Sequence, residues 1–217
     1  MKAFIFDLDG TLCDTIESIS GCANRTLKEL GLKEATPDQY KVFVGDGVDM
    51  LMKRLLKNAG DEECVHFPEM KARYTELFKE GCLQNVRPYP GMTDTLDFLK
   101  DEGMKLAVLS NKQHPNTVSV IHKVFGDAVF DIVLGQCGHF PKKPDPAAAL
   151  HIAGEFNVRP EECVYLGDTW TDMRTGKAAG MFTVGVLWGF RGKKELVDNG
   201  ADMTIESVSE IKDLIGR

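Results

Sequence analysis

The sequence predicts an α/β protein: a doubly wound, Rossmann-like parallel sheet with a helical unit inserted just after the first strand. Three observations predict it. Short apolar runs alternate with helical stretches over residues 84–217, the pattern of parallel strands covered on both faces by their connecting helices. The first apolar run, residues 2–7, ends abruptly in acidic residues and a glycine, as a strand does on entering a loop. Between residue 14 and about residue 83 the apolar side chains fall at three- and four-residue spacing, and no segment reads as a strand.

In chain order, strand 2–7 leads into inserted helices at 16–30, 48–57 and 62–78, each with an apolar face to pack. Residues 81–91, with Pro88 and Pro90, punctuate the return to the core. There follow helix 92–102, strand 105–110, helix 116–125, strand 130–134 and helix 146–157. The chain continues with strand 163–167, helix 171–179, strand 182–187, strand 203–205 and helix 207–215. Lys193-Lys194-Glu195 reads as the solvated start of a short helix. The core is therefore expected to comprise residues 1–13 and 84–217, and the helical unit residues 14–83. Both junctions adjoin the acidic loop after the first strand, which places the unit to open and close over it.

At 217 residues, 43% hydrophobic and 27% charged, without low-complexity tracts, the chain can bury a substantial core. Its net charge of -7 and pI near 5.3 argue against a nucleic-acid surface, because phosphate backbones attract clustered Lys and Arg. A small molecule is the better-fitting partner. Cys13, Cys22, Cys64, Cys82, Cys137 and Cys163 show neither a C-x-x-C pair nor the tight spacing of a disulfide framework, so reduced thiols are expected. The apolar run at 3–6 is too short for a signal peptide, and no later stretch approaches the roughly 20 apolar residues that span a bilayer. A cytoplasmic protein without membrane contact is expected. His66, His114, His122, His139 and His151 lack the mutual spacing of a zinc site.

Four clusters stand at the expected C-terminal ends of strands, where open parallel sheets bind ligands. The first is Asp7-Leu8-Asp9-Gly10-Thr11-Leu12. Alternate residues of an extended segment share a face, so Asp7 and Asp9 converge, and Gly10 lets the backbone turn. Such a pair suits Mg²⁺ binding, nucleophilic attack by Asp7, and proton transfer to and from Asp9. In isolation, D-x-D-G is also the pattern of an ordinary turn. Ser110-Asn111-Lys112 follows a strand, where a hydroxyl and backbone N–H groups suit phosphoryl oxygens; Ser-Asn there is equally common as turn chemistry.

The third cluster, Lys142-Lys143-Pro144-Asp145-Pro146, precedes a helix. A fixed lysine among carboxylates relieves their repulsion and stabilises a transferring phosphoryl group, and Lys143 is the better candidate of the pair. The plain alternative is a solvated basic loop capped by Asp145. Gly167-Asp168-Thr169-Trp170-Thr171-Asp172 again runs strand, glycine, acid, helix. Asp168 reads as a direct Mg²⁺ ligand. Asp172, about a turn later, reads as the holder of a metal-bound water, as the partner that orients Lys143, or as a helix-dipole acid.

In order and spacing, Asp7-x-Asp9-x-Thr11, Ser110, Lys143 and Gly167-Asp168-x-x-x-Asp172 resemble the four motifs of the haloacid dehalogenase-like hydrolases, across nearly the whole chain. The resemblance implies a Mg²⁺-dependent phosphatase for a small phosphorylated metabolite. In it Asp7 is phosphorylated, and Asp9 is the acid/base that lends its backbone carbonyl to the metal. Asp7, Asp168 and Asp172 complete the metal site, and Ser110 and Lys143 hold the phosphoryl group beside Leu8, Asp9, Thr11 and Asn111. The inserted helices resemble the family's cap, which closes over the site and selects substrate.

Within the family, the segment from Val44-Gly45-Asp46-Gly47 through Leu56, with Tyr89-Pro90-Gly91 and Trp188-Gly189-Phe190-Arg191, is similar to the phosphoglycolate phosphatases. That implies 2-phosphoglycolate as substrate. Glycolate carries a carboxylate, so a cap cation should face it, and Lys53 and Arg54 are the candidates. Without the resemblance, Gly45 and Gly47 form a helix-entry turn, and Asp49 with Lys53 is a surface pair. Nucleoside monophosphates, sugar phosphates, pyrophosphate and phosphate transfer within a hexose stay open as alternatives, as do monomer and homodimer. A non-catalytic phosphoacceptor or binding module is the rival from another class. Asp9 argues against it, because a second acid beside the nucleophile is what fast hydrolysis of an acyl phosphate needs.

Overall fold

The structure, a computed structural model, describes residues 1–217. Strand β1 (Ala3–Phe6) and the two-residue β2 (Cys13–Asp14) lead into four helices: α1 (Ile16–Glu29), α2 (Pro37–Phe43), α3 (Val48–Asn58) and α4 (Phe67–Gly81). The chain returns through β3 (Arg87–Pro88) and α5 (Met92–Asp101) to β4 (Lys105–Gln113), α6 (His114–Phe125), β5 (Ile132–Gln136) and α7 (Ala147–Glu155). It finishes with β6 (Cys163–Gly167), α8 (Trp170–Ala178), β7 (Phe182–Val186), α9 (Lys193–Asp198) and β8 (Met203–Ile205), then a 3₁₀ helix over Val208–Leu214.

Six of these strands form one sheet in the order β5-β4-β1-β6-β7-β8, every pairing parallel. All four residues of β1 are fully buried, as expected of a strand covered on both faces. The two-residue period divides them. Phe4 and Phe6 join Leu106, Val108, Val164 and Leu166 in one core with α5 and α6. Ala3 and Ile5 join Ala107, Leu109 and Tyr165 in a second core against α7. Each fully buried Phe, Ile or Leu contributes roughly 1.5–3 kcal/mol, so β1, like the wholly buried β6 beside it, is firmly anchored.

Helices α1 to α4 bury a third cluster of their own, including Leu27, Tyr40, Met52, Leu55 and Met70. At its root β2 and β3 pair antiparallel, Cys13 beside Pro88 and Asp14 beside Arg87. That ribbon and α2 were not expected from periodicity. Helix α2 has a capping box: Thr36 N–H donates to Gln39 Oε1 (2.9 Å) and Gln39 N–H to Thr36 Oγ1 (3.4 Å). Helix α4 begins five residues later than expected, at Phe67. The Asp61 carboxylate accepts N–H bonds from Val65 (2.9 Å) and His66 (3.0 Å), holding residues 61–66 in turns, and Pro68 opens the helix. The C-terminal segment is 3₁₀ rather than α, and its buried residues Val208, Ile211 and Leu214 fall every third position, which suits three residues per turn. No helix is long and apolar enough to cross a membrane.

Candidate active site

The strand order places the site. From β1 the chain winds outward to β4 and β5, then returns to the other side of β1 through β6, so the sheet has its switch point at β1. The C-terminal ends of β1, β4 and β6 open there into one crevice; Asp7 and Asp168 follow β1 and β6 directly, and Ser110 lies in the irregular last part of β4.

Asp7 continues the ladder, its N–H donating to Leu166 O (2.9 Å). Beneath it lies Lys143, 2% exposed, with Nζ 2.8 Å from Asp7 Oδ1 and 2.7 Å from Asp172 Oδ1 and donating to Leu109 O (3.0 Å). Three acceptors match the three protons of the ammonium. The Asp172 Oδ2 accepts from Thr169 N–H (3.1 Å) and Oγ1 (2.6 Å), so the first turn of α8 fixes its orientation. Asp168 is wholly buried. Its Oδ1 accepts from Thr11 Oγ1 (3.3 Å) and its Oδ2 from Phe190 N–H (2.8 Å). The Gly10 backbone packs against this carboxylate with φ +85°, and a Cβ there would stand 2.2 Å from Asp168 Oδ2.

Asp7, Asp168 and Asp172 each offer an oxygen within 4.8 Å of the others, all buried. Burial, reinforced by the charge of Asp172, pushes the Asp7 carboxyl up to about 7 against the pull of Lys143. Burial, with Asp172 and Asp7, pushes Asp168 well above the carboxylate range, while Asp172 and Asp7 hold Lys143 protonated despite its burial. Three buried carboxyls with one lysine among them form a site short of positive charge.

Asp9 faces elsewhere. Its Oδ1 accepts from Thr15 Oγ1 (2.7 Å) and pairs with the ammonium of Lys112. Asp7, Asp9, Ser110 and Asn111 line one face of a cavity of about 660 Å³, its open mouth included; Gly45, Gly47, Tyr74 and Phe78 of the helical unit line the other. The Asn111 side chain is fully engaged in bracing: Nδ2 donates to Gly45 O (3.0 Å) and Lys143 O (3.2 Å), and Oδ1 accepts from Lys143 N–H (2.9 Å). Only its backbone is left for an anion. Leu8 and Thr11 are fully buried and do not line the cavity; Thr11 serves Asp168 and accepts Trp188 Nε1–H on its carbonyl (3.0 Å).

The cations expected from the helical unit stand apart from the cavity. Arg54 pairs with Asp46 and donates to Phe43 O (2.7 Å), bracing the loop from within. Lys53 lies over the Phe67 ring, 5.3 Å from its centroid, and Asp49 pairs with Lys71 (2.8 Å) rather than with Lys53. The sequence reading named Lys112 in the second cluster without giving it a role of its own, and passed over Thr15, which with Lys112 holds Asp9, and over Tyr74 and Phe78. A signal existed for Lys112: it continues a buried apolar strand in which a lysine needs a partner.

A family model described as haloacid dehalogenase-like hydrolase matches residues 4–186. The chain is 36% identical over 194 residues to a phosphoglycolate phosphatase of Aquifex aeolicus (strain VF5), covering 88% of this chain and 86% of that one. It is 30% identical over 217 residues to that of Nitrosospira multiformis (strain ATCC 25196 / NCIMB 11849 / C 71), covering 99% and 96%. A solved structure, a predicted phosphoglycolate phosphatase from Haemophilus somnus 129pt, superposes with a TM-score of 0.92 at 26% identity, covering 99% and 97%. The chain belongs to the haloacid dehalogenase-like hydrolases. Within them it is a phosphoric monoester hydrolase, and its relatives share its length nearly end to end.

Proposed function

We propose that the chain hydrolyses 2-phosphoglycolate through an aspartyl-phosphate on Asp7, with residues 1–13 and 84–217 as the catalytic core and residues 14–83 as the cap. The observation that carries the mechanism is the division of labour within the first loop. Asp7 faces the cavity with its back held by Lys143, while Asp9, two residues on, faces the same cavity from a separate hydrogen-bond environment. Support for the substrate comes from the relatives named phosphoglycolate phosphatase.

In the first step an Asp7 oxygen forms a bond to phosphorus as the ester P–O bond breaks, and Asp9 gives its proton to the departing glycolate oxygen. In the second, Asp9 takes a proton from water, the water oxygen bonds to phosphorus, the Asp7 O–P bond breaks, and orthophosphate leaves. Ser110 and the backbone N–H groups of the loops bind the phosphoryl oxygens, and Lys143 balances the charge that gathers on them. Asp172 is a positioning residue for Lys143.

The buried, charge-deficient cluster of Asp7, Asp168 and Asp172 fits a hard divalent cation with oxygen ligands. Mg²⁺ would be held by those residues together with the Asp9 carbonyl. Bound there, it supplies positive charge against the phosphoryl oxygens and lets the carboxyls ionise.

The test is phosphate release from 2-phosphoglycolate, nucleoside monophosphates, hexose phosphates and pyrophosphate, with Mg²⁺ and with EDTA. Preferred, metal-dependent release from 2-phosphoglycolate, reduced at least ~10³-fold by Asp7→Asn, is expected. Preference for another ester would move the substrate, and activity surviving Asp7→Asn would remove the nucleophile.

A further inference from the structure

Lys112 is bound into the site but absent from the steps above. Its backbone is pinned on both sides: the N–H donates to Ser110 Oγ (3.2 Å), and the carbonyl accepts from Thr117 Oγ1 (3.3 Å). It lies within the register irregularity of β4 between Leu109 and Gln113, and such bulges re-aim side chains at functional sites. The side chain is 4% exposed, yet it lines the cavity, and it is the one cationic residue that does so. The ammonium meets Asp9 Oδ1 and lies 5.4 Å from the centre of the Phe78 ring on α4. An ammonium withdrawn this far from water needs anionic company.

Its contact with Asp9 limits which anion it serves. If Asp9 protonates the ester oxygen, a cation in hydrogen-bond contact with Asp9 stands within a few bond lengths of the carbon that bears that oxygen. A carboxylate attached directly to that carbon reaches the ammonium, and one placed farther along the chain is carried past it. The cap cations Lys53 and Arg54 are committed elsewhere, so Lys112, while paired with Asp9, is the cation that the cavity wall offers to the leaving part of the substrate.

We infer that Lys112 is the receptor for a carboxylate on the carbon next to the ester oxygen, so that the substrate class is the phosphate esters of α-hydroxy carboxylic acids. The inference rests on the reading of Asp9 as acid/base. Lys112 thereby ties recognition to chemistry, because the residue that binds the carboxylate also touches the acid that serves the adjacent oxygen. Phosphomonoesters with neutral leaving groups leave the ammonium without a ligand and lose affinity where it counts, in the transition state.

The experiment compares kcat/KM of the wild type, Lys112→Met and Lys112→Gln on three esters. These are 2-phosphoglycolate, its neutral isostere 2-phosphoglycolamide, and 3-phosphooxypropionate, which is one methylene longer. In the wild type the acid is expected to be favoured over the amide by roughly 10²-fold, the longer acid falling between. In both variants that ratio should collapse to within about fivefold of one. A general loosening of the site would lower all rates and leave the ratio standing, and a ratio that stands in both variants overturns the inference. Inhibition of the wild type is a second measurement, independent of whether the variants fold. 3-Phosphonopropionate should bind at least about tenfold more tightly than 3-phosphonopropionamide, and equal inhibition overturns the inference. Equal hydrolysis of the three esters, abolished by Asp7→Asn, would sink the carboxylate receptor alone; no hydrolysis of any of the three would sink the 2-phosphoglycolate reading with it.

Discussion

Asp7 and Asp9 are two residues apart, and the structure gives them opposite company. Asp7 joins Asp168 and Asp172, whereas the Asp9 carboxylate turns to Thr15 and Lys112. Asp168→Asn and Asp9→Asn should therefore both lose turnover, by about 10² to 10³-fold or more, but for different reasons. In thermal denaturation, added Mg²⁺ should still raise the melting temperature of Asp9→Asn and should no longer do so for Asp168→Asn; the same response in both would contradict the placement of the two acids. The metal response should also depend on pH. With no metal, the folded protein keeps a proton on Asp7 up to about pH 7, whereas the unfolded chain releases it near pH 4. Stability from that proton is complete below about pH 4 and is lost as pH rises to about 7. Mg²⁺ must displace it, so its apparent affinity should fall by up to tenfold per unit below pH 7. Equal affinity at pH 6 and pH 8 would rule this out. At this scale the acids, Ser110 and Lys143 were legible because each interrupts an apolar strand end or opens a helix, whereas the partner of Lys112 was not, because Asp9 lies 103 positions away.

Between elements, Arg191 is one of the residues that join the helical unit to the core, beside Asn111 and Lys112. Arg191 follows β7, is 9% exposed, and its Nη2 donates to Val42 O (2.8 Å) and Val44 O (2.9 Å) at the end of α2, while Glu195 pairs with its Nε (3.2 Å). Its neighbour Phe190 donates to Asp168, so the buried carboxylate cluster and the loop at the end of α2 are tied to one short segment. Arg191→Ala should raise KM about tenfold, more than it lowers kcat, because the loop bearing Gly45 and Gly47 loses its anchor. A change confined to kcat would place Arg191 in the chemistry instead. The sheet strands read well from sequence because full burial makes them continuous apolar runs. Helix α2 did not, although Thr36-Pro37-Asp38-Gln39 carries both halves of a capping box; at seven residues it is too short for periodicity to speak. The start of α4 was misplaced because Asp61 satisfies backbone N–H groups that a helix would otherwise have claimed.

For the whole molecule, the separate core of α1 to α4 and the ribbon of β2 with β3 make a prediction about independence. Asp14 and Arg87 face each other across that antiparallel ribbon, close enough for a two-residue turn. Replacing residues 15–86 by Asn-Gly should leave a folded α/β core with a cooperative melt and almost no turnover of 2-phosphoglycolate, since Tyr74, Phe78 and Gly47 are gone from the cavity. A chain that fails to fold would make the helices part of one indivisible core. What the sequence by itself determined was the six-strand α/β alternation and the four acidic or basic clusters, though not α2 or the ribbon of β2 with β3, because period-two burial, glycine turns and helix starts are properties of neighbouring residues. What only the tertiary structure decided was which charges meet. Lys112 pairs with Asp9, Arg54 with Asp46, and Lys143 with both Asp7 and Asp172, because strand order and register bring together residues far apart along the chain, and a buried charge takes whichever opposite charge the fold sets within reach.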